Sequence, residues 1–210
     1  DLSLPTASRL VHDLSDQRLL ERLADGTYRI GSRLLAIARL GGRQVLVELA
    51  VPVMRDLVEQ TGETVSLHIR SGAERVCVAE VQSPQPVRRV VPVGLALPLH
   101  YGATGEVLLA GLEGEDLDAY LAGLDSGLDR GELRRRLDAI RAQGWTMAMD
   151  AWTEGVSGIA SPVRAGGSVA ASLSVSGPSA RWDRTAMRAA ADAVVIAAKR
   201  ISDVLAASVR

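Results

Sequence analysis

Two serines in the stretch SLSVSG, Ser174 and Ser176, are spaced so that both hydroxyls could bind one ligand. Side chains alternate between the two faces of a β-strand, so residues two apart share a face. The stretch GATGEVLLA offers further donors, because the amides near Ala103 and Thr104 would begin a short helix and could bind a small anion. Hydroxyls and helix-start amides together suit a carboxylate. Alternatively, both serines lie on the exposed face of an edge strand and need no ligand.

A polar helix face near the start of the chain predicts a different kind of contact. In LPTASRLVHDLS, Leu10, Val11 and Leu14 recur at helical spacing, and polar residues occupy the other directions. The following LLERLADGTYRI places two β-prone runs around Asp25-Gly26, which suits a tight hairpin turn with positive φ. A helix followed directly by a hairpin is typical of the end of a winged helix-turn-helix, whose second helix enters the major groove of DNA. The candidate DNA contacts are Thr6, Ser8, Arg9 and His12 on the helix, and Arg22 and Arg29 on the hairpin.

Two points about this surface stay open at the level of sequence. Arg9 could donate to a guanine edge or to a phosphate. The alternative for the whole helix is an amphipathic surface helix whose polar face only meets water.

Catalytic and metal-binding chemistry has little support in the sequence. His68, His100 and Cys77 match no metal-ligand spacing, and no G-x-S-x-G nucleophile motif is present. GATGEVLLAGL lacks the Lys-Ser/Thr ending of a P-loop and the full glycine spacing of a dinucleotide site. A lone buried Cys is more often a small core residue, and His100 is expected to make a structural hydrogen bond near the turn at Pro98. We therefore expect no catalytic residue, no metal and no cofactor.

Composition limits the remaining classes of function. The 24 Lys and Arg balance 25 Asp and Glu, so the net charge of -1 predicts no global attraction to nucleic acid or membranes. The single Cys rules out an internal disulfide framework and fits a reducing cytoplasm. No apolar run approaches the roughly 18 residues that a membrane span needs, so we expect a cytoplasmic protein without a membrane partner.

The pattern of elements predicts an α+β fold with a mainly antiparallel sheet flanked by helices. SRLLAIARL is helical and is expected to end at Gly41-Gly42, and a second helix should cover about 43–60 and stop at Gly62. TVSLHIRSG and ERVCVAEVQS read as paired strands, and RRVVPVG should begin a third. Helical sequence covers 115–144, late strands follow, and one helix should run from about Asp183 to Val209.

Five stretches together resemble the isocitrate-lyase-regulator (IclR) type of bacterial transcription factor. They are LPTASRLVHDLSDQRLLER, DGTYRIGSRLL, LPLHYGATGEVLLA, GWTMAMDAWTEGVSGIASPV and SLSVSGP, in family order over almost the whole chain. The resemblance implies a partial winged helix-turn-helix (recognition helix and wing) over 1–31, a linker helix over 32–42, and a GAF-like effector-binding domain over 43–210. It also implies that the first helices of the winged domain are absent from this sequence, and that the protein forms dimers or dimers of dimers.

The resemblance also brings the candidate ligand residues into one pocket. Ser174 and Ser176 would lie beside the helix start to form its polar end, and Trp152 is a further candidate for its wall. The expected effector-binding residues are Leu97, Ala103, Thr104, Val156, Gly158, Ser174 and Ser176.

Three positions depart from the family pattern and concern the effector. Glu106 stands where the family commonly has Lys, Ala148 where some members have an acidic contact, and Gly158 where some have Cys. The two small residues should enlarge the pocket and lower its polarity. We therefore expect an effector with one acidic or polar end and an apolar body, bulkier than the smallest keto acids and not doubly charged.

The sequence thus predicts a ligand-responsive regulator that binds double-stranded operator DNA and a small organic effector as a homo-oligomer. A small-molecule enzyme and a plain oligomerisation module on a GAF-like fold are the alternatives. Apolar residues along the linker helix motivate the expected self-association: Leu34, Leu35, Ile37, Ala38 and Leu40.

Overall fold

The computed structural model describes residues 3–124 and 127–208, with the side chains of 34–41 outside the description. The chain divides into two compact units, residues 1–46 and residues 47–210. Each unit is described by itself. The two units differ in class, since the first holds a helix and a hairpin and the second holds a six-stranded sheet with helices.

The N-terminal unit contains the predicted helix and hairpin. Helix α1 spans Leu4–Asp16, and strands β1 (Leu20–Arg22) and β2 (Tyr28–Ile30) pair antiparallel. Pro5 lies in the first turn of α1, where its missing amide costs no helical hydrogen bond. Gly26 takes a φ of 85° in the hairpin turn, and the Asp25 carboxylate accepts hydrogen bonds from the Thr27 amide and hydroxyl. The turn prediction at Asp25-Gly26 is therefore confirmed.

Helix α2 spans Ser32–Thr61 and continues through Gly41 and Gly42. The expected break at these glycines is wrong, because two glycines cost a helix only about 1 kcal/mol each, which neighbouring helical turns can offset. The apolar linker side chains named above, from Leu34 to Leu40, lie outside the described residues. The helix ends where predicted, since Gly62 has a φ of 72° and donates to the Val58 carbonyl.

The C-terminal unit is built on one antiparallel sheet of six strands in the order β5-β4-β3-β8-β7-β6. The strands are β3 (Thr64–Ser71), β4 (Glu74–Val81), β5 (Ala96–Pro98), β6 (Thr146–Met149), β7 (Val156–Ala165) and β8 (Ser168–Pro178). The part of α2 from Val47 onward also belongs to this unit. The further helices of the described residues are α3 (Gly102–Ala110), α4 (Gly114–Ala122), α5 (Arg130–Gln143), α6 (Arg184–Ala189) and α7 (Ala191–Ser208). The prediction of an α+β, GAF-like domain with a mainly antiparallel sheet is confirmed.

The two faces of this sheet differ in polarity. Val65, Leu67, Ile159, Leu173 and Val175 are fully buried and lie on one face by alternation. The opposite face of β3 and β8 carries the cross-strand pairs Thr64–Ser176, Ser66–Ser174 and His68–Ser172. One face is thus an apolar core, and the other presents a row of polar side chains inside the protein.

Helix α3 covers part of the polar face at its β7 edge. Ala160, which pairs with Ser174 across β7 and β8, belongs to an apolar cluster with Val107 of α3 and Leu137 of α5. The cluster holds α3 against the sheet, so the first turn of α3 lies near the serine row.

Two other expectations about elements are wrong. RRVVPVG forms no strand, because Pro92 lacks an amide hydrogen and the Glu80 carboxylate accepts from the Val91 amide. The third strand is Ala96–Pro98 instead. The last helix is divided at Ala190, a single-residue irregularity that apolar periodicity cannot detect. No helix in the described part of the chain is long and apolar enough to cross a membrane.

Candidate functional site

A cavity of about 80 Å³ lies between the polar face of the sheet, the start of α3 and the segment 151–153. The structure brings the predicted effector residues together, because all seven line this cavity: Leu97, Ala103, Thr104, Val156, Gly158, Ser174 and Ser176. Trp152 also lines it, half-exposed, with its ring centroid 5.4 Å from that of Tyr101. That these residues contact an effector remains a prediction.

A chain of hydrogen bonds forms the floor of the cavity. The Ser174 Oγ lies 2.9 Å from the Ser66 Oγ, which lies 3.1 Å from Nε2 of His68. Burial, followed by the charges of Arg75 and Arg89, lowers the pKa of His68 to about 3, so the imidazole is neutral at pH 7.

Several buried polar atoms beside these hydrogen bonds have no hydrogen-bond partner among the described residues. They are Nδ1 of His68, Oγ of Ser176 and Nε of Arg75. An unpaired buried donor or acceptor typically costs about 1–3 kcal/mol. Three such atoms at one cavity are donors and acceptors that a polar ligand could satisfy.

Two arginines that sequence reasoning missed, Arg75 and Arg89, also line the cavity. Arg75 is only 6% exposed, and its Nη1 donates to the carbonyl of Tyr101. Burial, and then the charge of Arg89, lowers the pKa of Arg75 to about 10, which still leaves it a cation at pH 7. Neither arginine forms a salt bridge with any described residue.

The sequence pattern could have indicated that Arg75, but not Arg89, points toward the cavity. Arg75 lies two residues from the buried Cys77 in β4, and Cys77 pairs with His68, so strand alternation places the Arg75 side chain on the face that carries His68. Arg89 lies outside any strand, and no periodicity indicated its direction.

The expectation that Ala148 and Gly158 lower the polarity of the cavity stays a prediction. Ala148 and Gly158 do line it as a cross-strand pair, and Gly158 is in turn paired with Ser176. Arg75 and Arg89, however, supply guanidinium donors that the two small residues do not remove.

Helix α3 contributes its first turn to this site. Tyr101 occupies the N-cap position of α3, and its side chain accepts no hydrogen bond from the backbone amides of the first turn. Gly105 permits the close approach behind them, because a Cβ there would meet the Leu99 carbonyl oxygen at 2.2 Å. Glu106 does not line the cavity, because it bonds Arg136 at 2.9 Å.

The other residues considered for catalysis have structural contacts. Cys77 is buried, and desolvation followed by the charge of Glu80 raises the pKa of its thiol to about 11. His100 places Nδ1 2.9 Å from the Tyr120 hydroxyl, in agreement with the expected structural hydrogen bond. Within residues 3–124 and 127–208, no group of three His, Cys, Asp or Glu side chains is placed to hold a metal ion.

The predicted DNA-binding residues lie on the surface of the N-terminal unit, with one exception. Ser8, Arg9 and His12 are exposed on α1, and none of the described hydrogen bonds or salt bridges engages the Arg9 side chain. Thr6 is half-buried, and its Oγ1 lies 2.9 Å from the Ser3 hydroxyl. His12 lies 4.0 Å from Asp16.

The two hairpin arginines differ in their partners. Arg29 forms a salt bridge of 2.8 Å with Glu21 on the neighbouring strand. Arg22 has no described hydrogen bond or salt bridge of its side chain and is exposed. Because exposed salt bridges contribute only about 0–1 kcal/mol, Arg29 could exchange Glu21 for a phosphate at little cost.

Comparison with known proteins identifies the family to which the chain belongs. Residues 40–203 match the family described as bacterial transcriptional regulator IclR, C-terminal. The chain is 36% identical to the HTH-type transcriptional repressor AllR of Klebsiella pneumoniae over 74% of its own length and 58% of that protein. It is 33% identical to the HTH-type transcriptional regulator BhcR of Paracoccus denitrificans over 93% of its own length and 71% of that protein. The chain thus spans less than two thirds of one of these relatives.

Solved structures agree with this assignment. An IclR-family transcriptional regulator from Rhodococcus sp. superposes with a TM-score of 0.81 at 33% identity, covering 97% of this chain and 81% of that one. An IclR homologue from Microbacterium hydrocarbonoxydans, solved in complex with 4-hydroxybenzoate, gives 0.69 at 28% identity, covering 98% and 87%. With the family match over most of the chain and relatives above 30% identity, this chain belongs to the IclR family of bacterial transcriptional regulators.

Proposed function

We propose that this chain senses a small organic acid in the cavity of its C-terminal unit and transmits the binding event to operator DNA. The observation that carries the proposal is the set of unpartnered buried polar atoms on His68, Ser176 and Arg75 at one cavity. Buried polar groups are normally hydrogen-bonded, so a site that leaves three of them free favours an occupant with acceptor oxygens. Double-stranded operator DNA is the second proposed partner, and a DNA partner favours a cytoplasmic location.

The relative from Microbacterium hydrocarbonoxydans, solved with 4-hydroxybenzoate, supports the class of ligand. That compound carries a carboxylate, which is the group that serine hydroxyls, guanidinium groups and helix-start amides recognise. An acid-binding cavity in the present chain is consistent with this class of ligand.

A catalytic role is the weaker alternative, and the Ser66–His68 pair is where it would arise. The pair has the spacing of a nucleophile and its base, with Ser66 Oγ 3.1 Å from Nε2. A general base works best with a pKa near the operating pH, and the pKa of His68 is lowered to about 3. No described group orients Nδ1, and the raised pKa of Cys77 keeps the other nucleophile protonated. We therefore propose a binding site without turnover.

The effector proposal can be tested with a carboxylate series on the wild type and on Ser174→Ala/Ser176→Ala. An acid at about 100 times its Kd should raise the free energy of unfolding by roughly 2.7 kcal/mol. The double variant should lose most of this stabilisation, and Ser208→Ala, whose hydroxyl bonds the Leu205 carbonyl near the chain end, should keep it. Equal stabilisation of the double variant, or chemical conversion of the bound acid, would contradict the proposal.

We further propose that α1 and the hairpin contact DNA. Arg9 and Arg22 are exposed cations without described partners, and cations of this kind are available to phosphates or base edges. In the full-length protein, Arg9→Ala should weaken binding to a selected operator by about 1–3 kcal/mol if it reads a base. Arg55→Ala removes an exposed charge from α2 and serves as the control. An unchanged footprint and affinity for Arg9→Ala would remove Arg9 from the interface.

Homo-oligomerisation completes the proposed function. A winged element reads only a few base pairs, and two linked copies gain affinity by engaging two half-sites together. Sedimentation of the full chain at micromolar concentration should give a dimer or a dimer of dimers. A self-associating chain that binds neither acid nor DNA would instead favour the plain oligomerisation module.

A further inference from the structure

The cavity of the C-terminal unit has an unbalanced positive charge. Arg75 and Arg89 both line it, and no Asp or Glu is among the described residues that do so. The nearby Glu80 is engaged elsewhere, because its two carboxylate oxygens accept from the Val91 amide and the Gln82 side chain. His68 adds no further positive charge, since burial keeps it neutral.

This imbalance costs free energy wherever no anion compensates it. Arg75 is almost fully buried, and burial followed by the charge of Arg89 lowers its pKa to about 10. A ligand with one negative charge would still leave one cation uncompensated, whereas two negative charges would neutralise the pair. Buried cations are most favourable when paired and hydrogen-bonded.

The donors available match more than one anionic group. Among the described residues, Nε of Arg75 and the Ser176 hydroxyl have no hydrogen-bond partner. The Nη1 of Arg75 donates to the Tyr101 carbonyl. Arg89 has no described side-chain hydrogen bond and lines the same cavity. Charge-assisted bonds from guanidinium to carboxylate or phosphate are about twice as strong as neutral ones.

The space between the sheet and the start of α3 is small and partly open to solvent. An engineered apolar cavity of about 150 Å³ holds benzene, so a short acid would fill the 80 Å³ of this cavity, whereas an aromatic acid would extend beyond it toward solvent. The expectation of an effector bulkier than the smallest keto acids is therefore not favoured by the space available.

We propose that the effector is a short dianion, with two negative charges on a small carbon skeleton or on a phosphoryl group, held between Arg75 and Arg89. This inference rests on the proposed acid-sensing function of the same cavity and adds the charge of the ligand. A dicarboxylate and a phosphate share this chemistry, and the choice of probes separates them.

The test compares acids with their monoamides, which have nearly the same shape and one negative charge fewer. Binding of oxalate and oxamate, succinate and succinamate, and inorganic phosphate is measured by titration calorimetry on the whole chain. The wild type should bind one dianion at least about tenfold more tightly than its monoanionic partner. Oxalate or succinate as the tighter ligand indicates a dicarboxylate, and inorganic phosphate as the tightest indicates a phosphoryl group.

Arginine variants assign the preference to the cavity. Arg89→Gln should lower affinity for the dianion by about tenfold and that for its monoamide by less than about threefold. Arg88→Gln is the matched control, because Arg88 is exposed, bonds Gln82 and Gln85, and does not line the cavity. At the second arginine of the cavity the variants are Arg75→Gln and Arg75→Lys. Arg75→Lys keeps the positive charge but loses the planar guanidinium, and it replaces Arg75→Gln if that variant fails to fold.

The outcomes separate this inference from the function on which it rests. Equal affinity for a dianion and its monoamide, with binding still lost in Ser174→Ala/Ser176→Ala, would overturn the dianion and leave acid sensing in place. A preference for 4-hydroxybenzoate over every short dianion would also overturn it. Failure of every carboxylate and phosphate to bind would overturn both.

Discussion

Ser174 and Ser176 lie two residues apart on β8, yet their replacement by alanine should change stability in opposite directions. The Ser174 hydroxyl is hydrogen-bonded to Ser66 at 2.9 Å, and it is 3.4 Å from the Ser66 carbonyl. The Ser176 Oγ is buried and has no partner. The same substitution therefore removes a satisfied group in one case and an unsatisfied group in the other.

The expected magnitudes follow from these contacts. Ser174→Ala loses a buried hydrogen bond and should lower the free energy of unfolding by about 1 kcal/mol, while Ser66 keeps its bond to His68. Ser176→Ala removes a hydroxyl whose burial without a partner costs about 1–3 kcal/mol, so it should raise the free energy of unfolding by roughly 1 kcal/mol. The two variants should differ by about 2 kcal/mol.

Urea unfolding of the ligand-free chain measures this difference, provided that the m-values of the variants agree. Ser172→Ala is a matched control, because its buried Oγ is also unpartnered but the residue does not line the cavity. It should stabilise the protein and leave acid binding unchanged, whereas Ser176→Ala should stabilise it and weaken acid binding. If Ser176→Ala destabilises the protein as much as Ser174→Ala, the interpretation of Ser176 as a donor kept free for a ligand is refuted.

Three further predictions concern other residues of the C-terminal unit. Because the pKa of His68 is lowered to about 3 in the folded protein from about 6.5 when unfolded, the unfolded chain binds the extra proton between these values. Stability should fall as pH drops below about 6.5, by up to about 1.4 kcal/mol per unit, and denaturant unfolding at several pH values should show a flatter profile for His68→Gln but not for His12→Gln. Ala148→Asp would place a carboxylate at the cavity, so it should weaken the binding of any acid by about tenfold in calorimetry, and tighter binding would contradict the placement of the two arginines. Glu106→Lys should lower the free energy of unfolding by about 2–3 kcal/mol, because it places a second cation beside Arg136. The same variant should leave acid affinity unchanged, since Glu106 does not line the cavity. Loss of binding by a variant that is still folded would show that this position contacts the effector.

Local pattern was sufficient for most elements. The hairpin at Asp25-Gly26, the strands on either side of Ser71-Gly72 and the helix stop at Gly62 each follow from a turn or capping requirement that one or two residues express. Where the expectation was wrong, at Gly41-Gly42 and at Ala190, the outcome depended on small energies or on a single residue. Weak local preferences of this size are easily overridden.

Motifs in the sequence were sufficient to assign the family and to predict the residues that form the polar wall of the cavity, because Ser174 and Ser176 share a face by strand alternation and α3 begins at a glycine-rich turn. The charge and the size of that cavity became apparent only from the packed structure. Arg75 and Arg89 are both far from Ser174 in sequence. Arg75 faces the same space because β4 pairs with β3 and β3 pairs with β8, and the Thr64 hydroxyl of β3 donates to the Arg89 carbonyl. The direction of a long side chain, and the burial that leaves a donor unpaired, depend on such non-local neighbours. The sequence therefore predicts a site for an acid, and the packing of the sheet is the basis for the charge proposed for that acid.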